Sequence, residues 1–277
     1  MNTGLYLYYA SFLVGYLAAF FVNLKTYYKY RTTATRVWMY SLTFVYGFAG
    51  AFAAGRVYNV VYHRLGFAGD ATFAMFGAVI LVPVMEIATV LTEKAVRKAV
   101  NKKRAQTQIK APLPAVSVRD TVDMLAPNIF IVLGFGKLGC HLNGCCFGIE
   151  CGFGIEHTVN GAAVRTFPVQ IFEACLIFGM LIAVYFLKKR PFYRRGMAYP
   201  LTAACYCAIR FGVEFLRWYE PEMRRAVLGM TLWQCASVIV FVSSVISLIV
   251  LYKTGESSPL PGKNKPAEDP ELTIEEE

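Results

Sequence analysis

The chain has 277 residues, of which 56% are hydrophobic and 17% are charged, and its mean hydropathy is +0.45. This composition excludes an ordinary water-soluble domain, because long apolar runs fill most of the length and each approaches the roughly 20 residues that a helix needs to cross a bilayer. The net charge of +10 does not indicate nucleic-acid binding, since the basic residues lie between the apolar runs, where they report membrane orientation.

Seven apolar runs are predicted to cross the membrane as helices, so the expected fold class is all-α, a polytopic membrane helical bundle. No Lys or Arg precedes Lys25. The first run therefore lacks the charged start of a cleavable signal peptide and is expected to remain in the mature chain. We expect one membrane domain over residues 1–253. In chain order the predicted spans are residues 5–24, 37–60, 71–92, 118–135, 168–187, 197–216 and 230–252.

Clusters of Lys and Arg follow the first, third and fifth predicted spans. Because excess Lys and Arg marks the cytoplasmic side of a membrane, the amino terminus is predicted to lie outside and the carboxyl terminus inside. Residues 254–277, rich in Pro, Lys and Glu, are expected to form a disordered acidic cytoplasmic tail. Residues 136–167 are expected to form a small extracytoplasmic cysteine-rich segment, with Cys140, Cys145, Cys146 and Cys151.

These four cysteines have competing interpretations. Outside the cytoplasm the favoured one is a pair of disulfides, in which adjacent Cys145 and Cys146 have different partners. A zinc site that includes His141 is an alternative, although Cys-x4-Cys-Cys-x4-Cys is not a standard ligand pattern. A redox or covalent role for one thiol is a third interpretation. Because the zinc pattern is not a standard one, the prediction is that the protein holds no metal and no cofactor.

Several ionisable residues fall within the predicted spans or close to their outer ends. Placing such a side chain in hydrocarbon costs on the order of 3 kcal/mol, so each one needs a partner or a function. Snorkelling to the headgroups is the alternative explanation for any single residue. The residues are Arg56, Glu86, Asp123, Lys137, Glu173, Arg210 and Glu214.

Three of these residues are cations that are expected to converge in the outer half of the membrane: Arg56, Lys137 and Arg210. Together they predict a pocket for an anion, and the commonest anion at that depth is a phospholipid phosphate. Glu214 and Tyr206 lie four residues after and before Arg210, on the same helix face. We expect Glu214 to orient Arg210 and the Tyr206 hydroxyl to donate to the same phosphate.

Six short motifs between residues 55 and 234 follow one another in the order of a known family. They are Gly55-Arg56-Val57-Tyr58, Asp123 to Pro127, GKLGCHLNGCCFG from Gly136 to Gly148, Phe167 to Glu173, Tyr206 to Arg217, and Gly229 to Gln234. Together they resemble the motifs of the prolipoprotein diacylglyceryl transferases. Tyr8 and Gly15 in the first run are further points of similarity. The family is a seven-span fold of the bacterial plasma (inner) membrane, with its amino terminus outside.

The resemblance implies transfer of a diacylglyceryl group from phosphatidylglycerol to a prolipoprotein cysteine, with release of glycerol phosphate. The partners it implies are phosphatidylglycerol or another membrane lipid and the signal peptide of the prolipoprotein. The expected catalytic residues are Arg210, Lys137 and His141. The expected substrate-binding residues are Arg56, Tyr8, Asn143, Gly144, Gln170, Glu173, Tyr206 and Glu214.

Four positions depart from the family's pattern and bear on the chemistry. At two of these positions phenylalanine replaces a histidine, and phenylalanine cannot accept a proton. The expected base is therefore missing, and His141 or His157 is the candidate replacement. The alternatives are a paralogue that uses the same phospholipid site with a different acceptor, and a non-catalytic lipid-binding or transport protein. The departures are Lys137 in place of Arg, Cys140 in place of Asn, and Phe167 and Phe76 in place of His.

Overall fold

The computed structural model describes residues 3–27, 75–107, 118–159, 162–219 and 229–255, with short helical stretches between residues 40 and 64. The disordered tail is predicted over residues 254–277, of which Thr254 ends the last helix and residues 256–277 lie outside the described part. The helices are α1 (Thr3–Tyr27), α2 (Met75–Thr107), α3 (Val118–Leu142), α4 (Val169–Leu187), α5 (Ala198–Val213) and α6 (Leu232–Thr254), and a 3₁₀ turn at Glu214–Leu216 follows α5.

Within the described residues, three helical segments are long and apolar enough to cross a membrane. They are Thr3–Val22 of α1, the whole of α4 and the whole of α6, and α3 contains a shorter apolar stretch, Pro127–Leu142. Large apolar side chains point away from the protein: Phe21 is 64% exposed and Ile239 is 70% exposed. Such surfaces suit lipid rather than water. The protein is therefore a mostly helical membrane protein, and the count of seven spans stays a prediction.

Helix α3 occupies the centre of the described structure, because it packs against α1, α2, α4 and α5. Phe130 of α3, Ile177 of α4 and Tyr206 of α5 are fully or almost fully buried in the core that these helices share. A smaller cluster lies on the α1 side, where the Tyr40 hydroxyl donates to the carbonyl of Tyr16 at 2.8 Å. The position of α3 thus determines which residues of its neighbours meet.

Helix α3 continues past the predicted span end at residue 135, to Leu142. Its last turns pack closely on α1: a Cβ at Gly139 would lie 3.1 Å from the carbonyl oxygen of Tyr8. Contacts of this kind stabilise helical turns that residue propensity alone does not. Lys137 and Cys140 therefore lie on a helix and not in an external loop. In the same way, α2 includes the basic residues from Lys94 to Arg104, which were expected in a loop.

A β-hairpin follows α3, so the all-α prediction was wrong for this segment. Strand β1 (Glu150–Val159) pairs antiparallel with β2 (Ala162–Thr166), with Glu156 opposite Arg165. The sequence between the strands is Asn-Gly, the dipeptide that two-residue hairpin turns favour most. The strand ends beside it are rich in Val, Thr and Ala. The outer segment is thus a folded unit rather than a loop.

Backbone hydrogen bonds hold the start of the hairpin on both sides. The Gly148 amide donates to the Phe167 carbonyl at 3.1 Å, and the Ile149 amide donates to the Leu216 carbonyl at 3.0 Å. A Cβ at Gly148 would lie 2.6 Å and 2.7 Å from these two carbonyl oxygens, so only glycine fits there. The cysteine-rich segment is thereby fixed over the start of α4 and the end of α5.

At the opposite end of the bundle, Asp123 of α3 caps α5. Its side chain is 9% exposed and accepts hydrogen bonds from the amides of Gly196 and Ala198, at 2.8 and 2.9 Å, and from the Tyr193 hydroxyl at 2.7 Å. A carboxylate at a helix amino terminus satisfies amides that have no partner within the helix. Asp123 therefore couples the position of α5 to that of α3.

We expect Asp123→Ala to lower the free energy of unfolding by about 3–5 kcal/mol, because it leaves buried amides without an acceptor. Tyr193→Phe is the matched control, since it removes one of the same hydrogen bonds and should cost about 1 kcal/mol. The measurement is unfolding of the full chain in detergent micelles. A loss for Asp123→Ala no larger than that for Tyr193→Phe would show that the cap does not hold α5.

Candidate functional site

Two helices bring charged or polar side chains to one buried carboxylate on a third, Glu173 of α4, which is 1% exposed. The Lys137 ammonium of α3 lies 2.9 Å from Oε2, and Nη1 of Arg210, from α5, lies 3.4 Å from the same oxygen. The Tyr206 hydroxyl donates to Oε1 at 3.4 Å. The structure thus brings together four residues that the sequence predicted for the site. We call this set, with Glu214, the charge cluster.

The predicted contact between Arg210 and Glu214 is present and is the tightest in the charge cluster, with Nη2 of Arg210 2.7 Å from Oε2 of Glu214. The other carboxylate oxygen accepts hydrogen bonds from the hydroxyls of Thr231 and Tyr219 at 2.8 and 2.7 Å. Thr231 is itself held, because it forms a capping box with Gln234 at the start of α6. Arg210 thus has a short ion pair through Nη2 and two longer hydrogen bonds to Glu173 through Nη1.

Positive charge exceeds negative charge in and beside the charge cluster. Arg217 interacts electrostatically with both Glu173 and Glu214, and no carboxylate of the described residues lies within salt-bridge distance of it. With Lys137 and Arg210 there are three cations against two carboxylates. Buried charge in excess of its partners favours a counter-ion. The arrangement is therefore suited to an anion.

Gln170 and Asn143 hold the segment between α3 and the hairpin. The Gln170 amide group donates to the carbonyl of Cys145 at 2.7 Å, and its Oε1 is buried without a hydrogen-bond partner in the described part of the chain. Asn143 packs against α1, since a Cβ at Gly4 would lie 3.0 Å from its Oδ1. Between them Gly144 adopts φ +68°, which turns the chain.

The structure places the two remaining predicted substrate-binding residues differently. The ring of Tyr8 packs edge-on against Phe12, with centroids 4.9 Å apart, and the residue lies within electrostatic range of the thiols at and after the end of α3. Arg56 is exposed, with its guanidinium 5.1 Å from the centroid of the Phe52 ring. No described ion pair or hydrogen bond joins Arg56 to the charge cluster, so its role stays a prediction. The third cation found beside the charge cluster is Arg217.

Two imidazoles lie together beside the cysteine-rich segment. Nδ1 of His141 and Nε2 of His157 are buried and have no hydrogen-bond partner among the described residues. The His157 ring stacks on Phe147 with centroids 5.2 Å apart. Burial, and then the neighbouring His141, lowers the pKa of His157 below 6.5. A neutral imidazole with a free nitrogen is able to accept a proton.

The predicted pair of disulfides among the outer cysteines is not found, because every cysteine is a free thiol. The Sγ atoms of Cys140, Cys145 and Cys146 lie within 4.8 Å of one another. We call these three residues the thiol cluster. Cys151 lies apart from it, in β1. The chain turn at Gly144 brings Cys145 and Cys146 back to the end of α3, and linear spacing does not reveal this.

Comparison with known proteins gives one family. The family model described as prolipoprotein diacylglyceryl transferase matches residues 2–250. Because this match covers most of the chain, the chain belongs to that family.

Individual relatives have low sequence identity to this chain, and each matches only part of it. A phosphatidylglycerol–prolipoprotein diacylglyceryl transferase 2 of Clostridium perfringens is 28% identical over 137 residues, which are 47% of this chain and 51% of the relative. The Clostridium tetani transferase of that name is 32% identical over 102 residues, 35% and 40% of the two chains. The Streptomyces griseus transferase is 27% identical over 146 residues, 51% and 42%. The chain thus spans about half or less of the length of these curated relatives.

We expect Glu173→Gln to lower the free energy of unfolding by about 3–5 kcal/mol, because Lys137 and Arg210 then face a neutral amide in a buried site. The double variant Lys137→Met/Glu173→Gln should recover part of that loss, since it also removes one uncompensated cation. Unfolding in detergent measures both. Glu156→Gln in the exposed hairpin is the control and should stay within about 0.5 kcal/mol of the wild type. A loss in the double variant equal to the sum of the losses in Glu173→Gln and in Lys137→Met alone would mean that the two residues are not coupled.

Proposed function

We propose that this member of the prolipoprotein diacylglyceryl transferase family transfers the diacylglyceryl group of phosphatidylglycerol to the cysteine thiol of a prolipoprotein. The observation that carries the proposal is the charge cluster, in which Arg210 and Lys137 meet on the buried Glu173. These residues belong to the motifs that resemble the family, and the family match extends from residue 2 to residue 250.

The uneven contacts of Arg210 support a role in phosphate binding. Glu214 holds Nη2 at 2.7 Å, while Nη1 is 3.4 Å from Glu173, a distance at which a hydrogen bond is weak. A phosphate oxygen replaces Glu173 at Nη1 without disturbing the orientation of the guanidinium. Lys137, at 12% side-chain exposure, is the more accessible cation and follows the phosphate.

The chemistry requires an anion-stabilising site and a proton acceptor. The thiolate sulfur attacks the glyceryl carbon that bears the phosphate, so a carbon–sulfur bond forms and the carbon–oxygen bond breaks. The electron pair leaves on the phosphate oxygen of glycerol phosphate, where Arg210 and Lys137 stabilise it. The free Oε1 of Gln170 accepts a hydrogen bond from a hydroxyl of the glycerol headgroup. Burial, and then the neighbouring His141, lowers the pKa of His157, so its imidazole is neutral before the reaction and takes the thiol proton.

The arrangement of the helices supports an amino terminus outside the cytoplasm. Gly4 of α1 lies beside Asn143 at the outer segment, whereas Lys188 donates to the Asp123 carbonyl at the opposite end. That opposite end is rich in cations, as expected for the cytoplasmic side. They include Arg119, Lys188, Lys189, Arg190, Arg194, Arg195 and Lys253. The charge cluster and the hairpin then face the outer leaflet and an exported signal peptide.

We expect Arg210→Lys and Arg210→Ala to lower transfer by about 10²–10³-fold, because the phosphate loses a fixed, fork-shaped donor. The assay expresses the chain in cells depleted of their own lipoprotein transferase and follows a lipobox precursor on gels. Arg165→Ala, in the exposed hairpin strand β2, is the matched control and should transfer at the wild-type rate. If the wild-type chain gives no lipid-modified form in these cells, the proposed activity is rejected.

The pH dependence tests the base. Because the pKa of His157 is lowered below 6.5, the imidazole is neutral at pH 7, and kcat/KM should fall only as the pH drops below 6.5. His157→Gln should lower kcat/KM by about 10²–10⁴-fold and remove this acid limb. A purified assay over a pH series measures both. An unchanged acid limb in His157→Gln would assign the proton transfer to another group.

A second candidate function is transfer from the same phospholipid site to a different acceptor. It is favoured by the phenylalanines at positions 76 and 167, where the family's motifs have histidine, and by the absence of a histidine among the described contacts of the charge cluster. Lipidomics of a deletion strain discriminates between the two. An unchanged lipoprotein profile with one missing modified lipid favours the different acceptor. If Arg210→Ala leaves the cellular phenotype intact, a non-catalytic lipid-binding or transport protein is the better description.

A further inference from the structure

The thiol cluster lies beside the proposed reaction site. Cys140 follows Lys137 by three residues on α3, so the two side chains share one helix face, and Lys137 contacts Glu173 at 2.9 Å. Gln170, which holds the carbonyl of Cys145, is on α4 one turn before Glu173. Helices α3 and α4 thus connect the thiol cluster to the proposed phosphate site.

The distances between the three thiol sulfurs are close to those of a zinc site with thiolate ligands. Zn²⁺ binds thiolates at about 2.3 Å in tetrahedral geometry, which places neighbouring sulfurs about 3.8 Å apart. The Sγ atoms of Cys140, Cys145 and Cys146 are all within 4.8 Å of one another, so a contraction of about an ångström completes the geometry. A disulfide uses only two of the three sulfurs and leaves the third without a partner.

The backbone holds these thiols in place before any ligand arrives. Cys140 is on α3, and the Cys145 amide donates to its carbonyl at 3.0 Å. Cys146 has φ +61°, the one non-glycine residue with positive φ in the described chain. Side chains adopt this left-handed conformation rarely, and it is typical of positions that the surrounding structure constrains for function. Here it turns the exposed Cys146 toward the other two thiols.

Charge near the thiol cluster favours a metal complex over free thiols. Zn²⁺ with three thiolates carries one net negative charge. Lys137 and Arg217 both interact electrostatically with Cys146, so they offset that charge. The complex would also compensate the excess of cations in and beside the charge cluster.

We propose that Cys140, Cys145 and Cys146 form a three-thiolate zinc site whose fourth coordination position takes the thiol of the acceptor. Three protein ligands with one open position is the arrangement of catalytic rather than structural zinc. A thiol that coordinates such an ion is deprotonated outright, which supplies the thiolate that the missing family histidine would otherwise help to form. The identity of the acceptor rests on the proposed function.

The balance of the step is complete without an oxidant. The acceptor thiol replaces water on zinc, and its proton passes to His157. The zinc-bound sulfur then forms the carbon–sulfur bond while glycerol phosphate leaves with the electron pair of the broken carbon–oxygen bond. The thioether product is a weak ligand, so water displaces it and the three-thiolate zinc site is restored.

Metal content is the first test, and it does not depend on activity. The full chain, purified in detergent under reducing conditions, reloaded with Zn²⁺ and dialysed, should retain one zinc per chain by mass spectrometry. Cys145→Ser and Cys146→Ser should retain almost none, while Cys175→Ser on α4 and Cys151→Ser in β1 should retain the wild-type amount. Size exclusion and unfolding confirm that all four variants are folded. The proposal is overturned if the wild type does not retain zinc. It is also overturned if Cys151→Ser loses zinc, because Cys151 would then be a fourth ligand and no coordination position would be open for the acceptor.

The open position is tested by replacing Zn²⁺ with Co²⁺, whose thiolate charge-transfer absorption reports each bound sulfur. A peptide with a single cysteine should increase that absorption, and the same peptide with serine should not. Equal spectra with the two peptides overturn the acceptor role. If the spectrum responds but no lipid is transferred in the precursor assay, the zinc site stands and the proposed function fails, so the two outcomes are distinguishable.

Discussion

The described structure depends on one buried carboxylate. Glu173 is almost fully buried and is approached by Lys137 from α3 and by Arg210 from α5. None of these charges is stable alone in a low-dielectric interior, because an uncompensated buried ion costs several kcal/mol. The three helices are therefore held in one mutual register. Since Gln170 lies one turn before Glu173 and holds the Cys145 carbonyl, the same register also sets the position of the outer segment.

Local chemistry of the site could be predicted from the sequence, and contacts between helices could not. Arg210 and Glu214 are four residues apart on one helix, so their ion pair follows from helical periodicity alone. The contact between Lys137 and Glu173 depends on how α3 packs on α4. The spacing of residues within either helix does not reveal that packing. Arg217 shows the same limit, because it follows the 3₁₀ turn at Glu214–Leu216 and its interaction with Glu173 depends on how α5 packs on α4.

Two errors in the predicted fold have different causes. The hairpin was missed although its signal is local, because the Asn-Gly dipeptide and its β-branched flanks stand in a segment whose cysteines suggested a loop. The end of α3 was placed too early for a non-local reason. Hydropathy falls at Lys137, so a span prediction stops there, whereas packing of Gly139 on Tyr8 keeps the backbone helical to Leu142. Length and apolarity still identify α1, α4 and α6 as helices that are long and apolar enough to cross a membrane.

Two of the four departures from the family's motifs are linked if the proposed zinc site is present. By the resemblance to the family's motifs, Phe76 is predicted to take the position of a histidine and Cys140 that of an asparagine. Loss of a proton acceptor alone would leave the acceptor thiol mostly protonated near neutral pH, since an ordinary thiol has a pKa of about 8.5. A thiol at position 140 completes a set of three whose sulfurs converge. A thiol that coordinates a zinc ion is deprotonated outright, so in the proposed zinc site the cysteine at position 140 would compensate for the missing histidine.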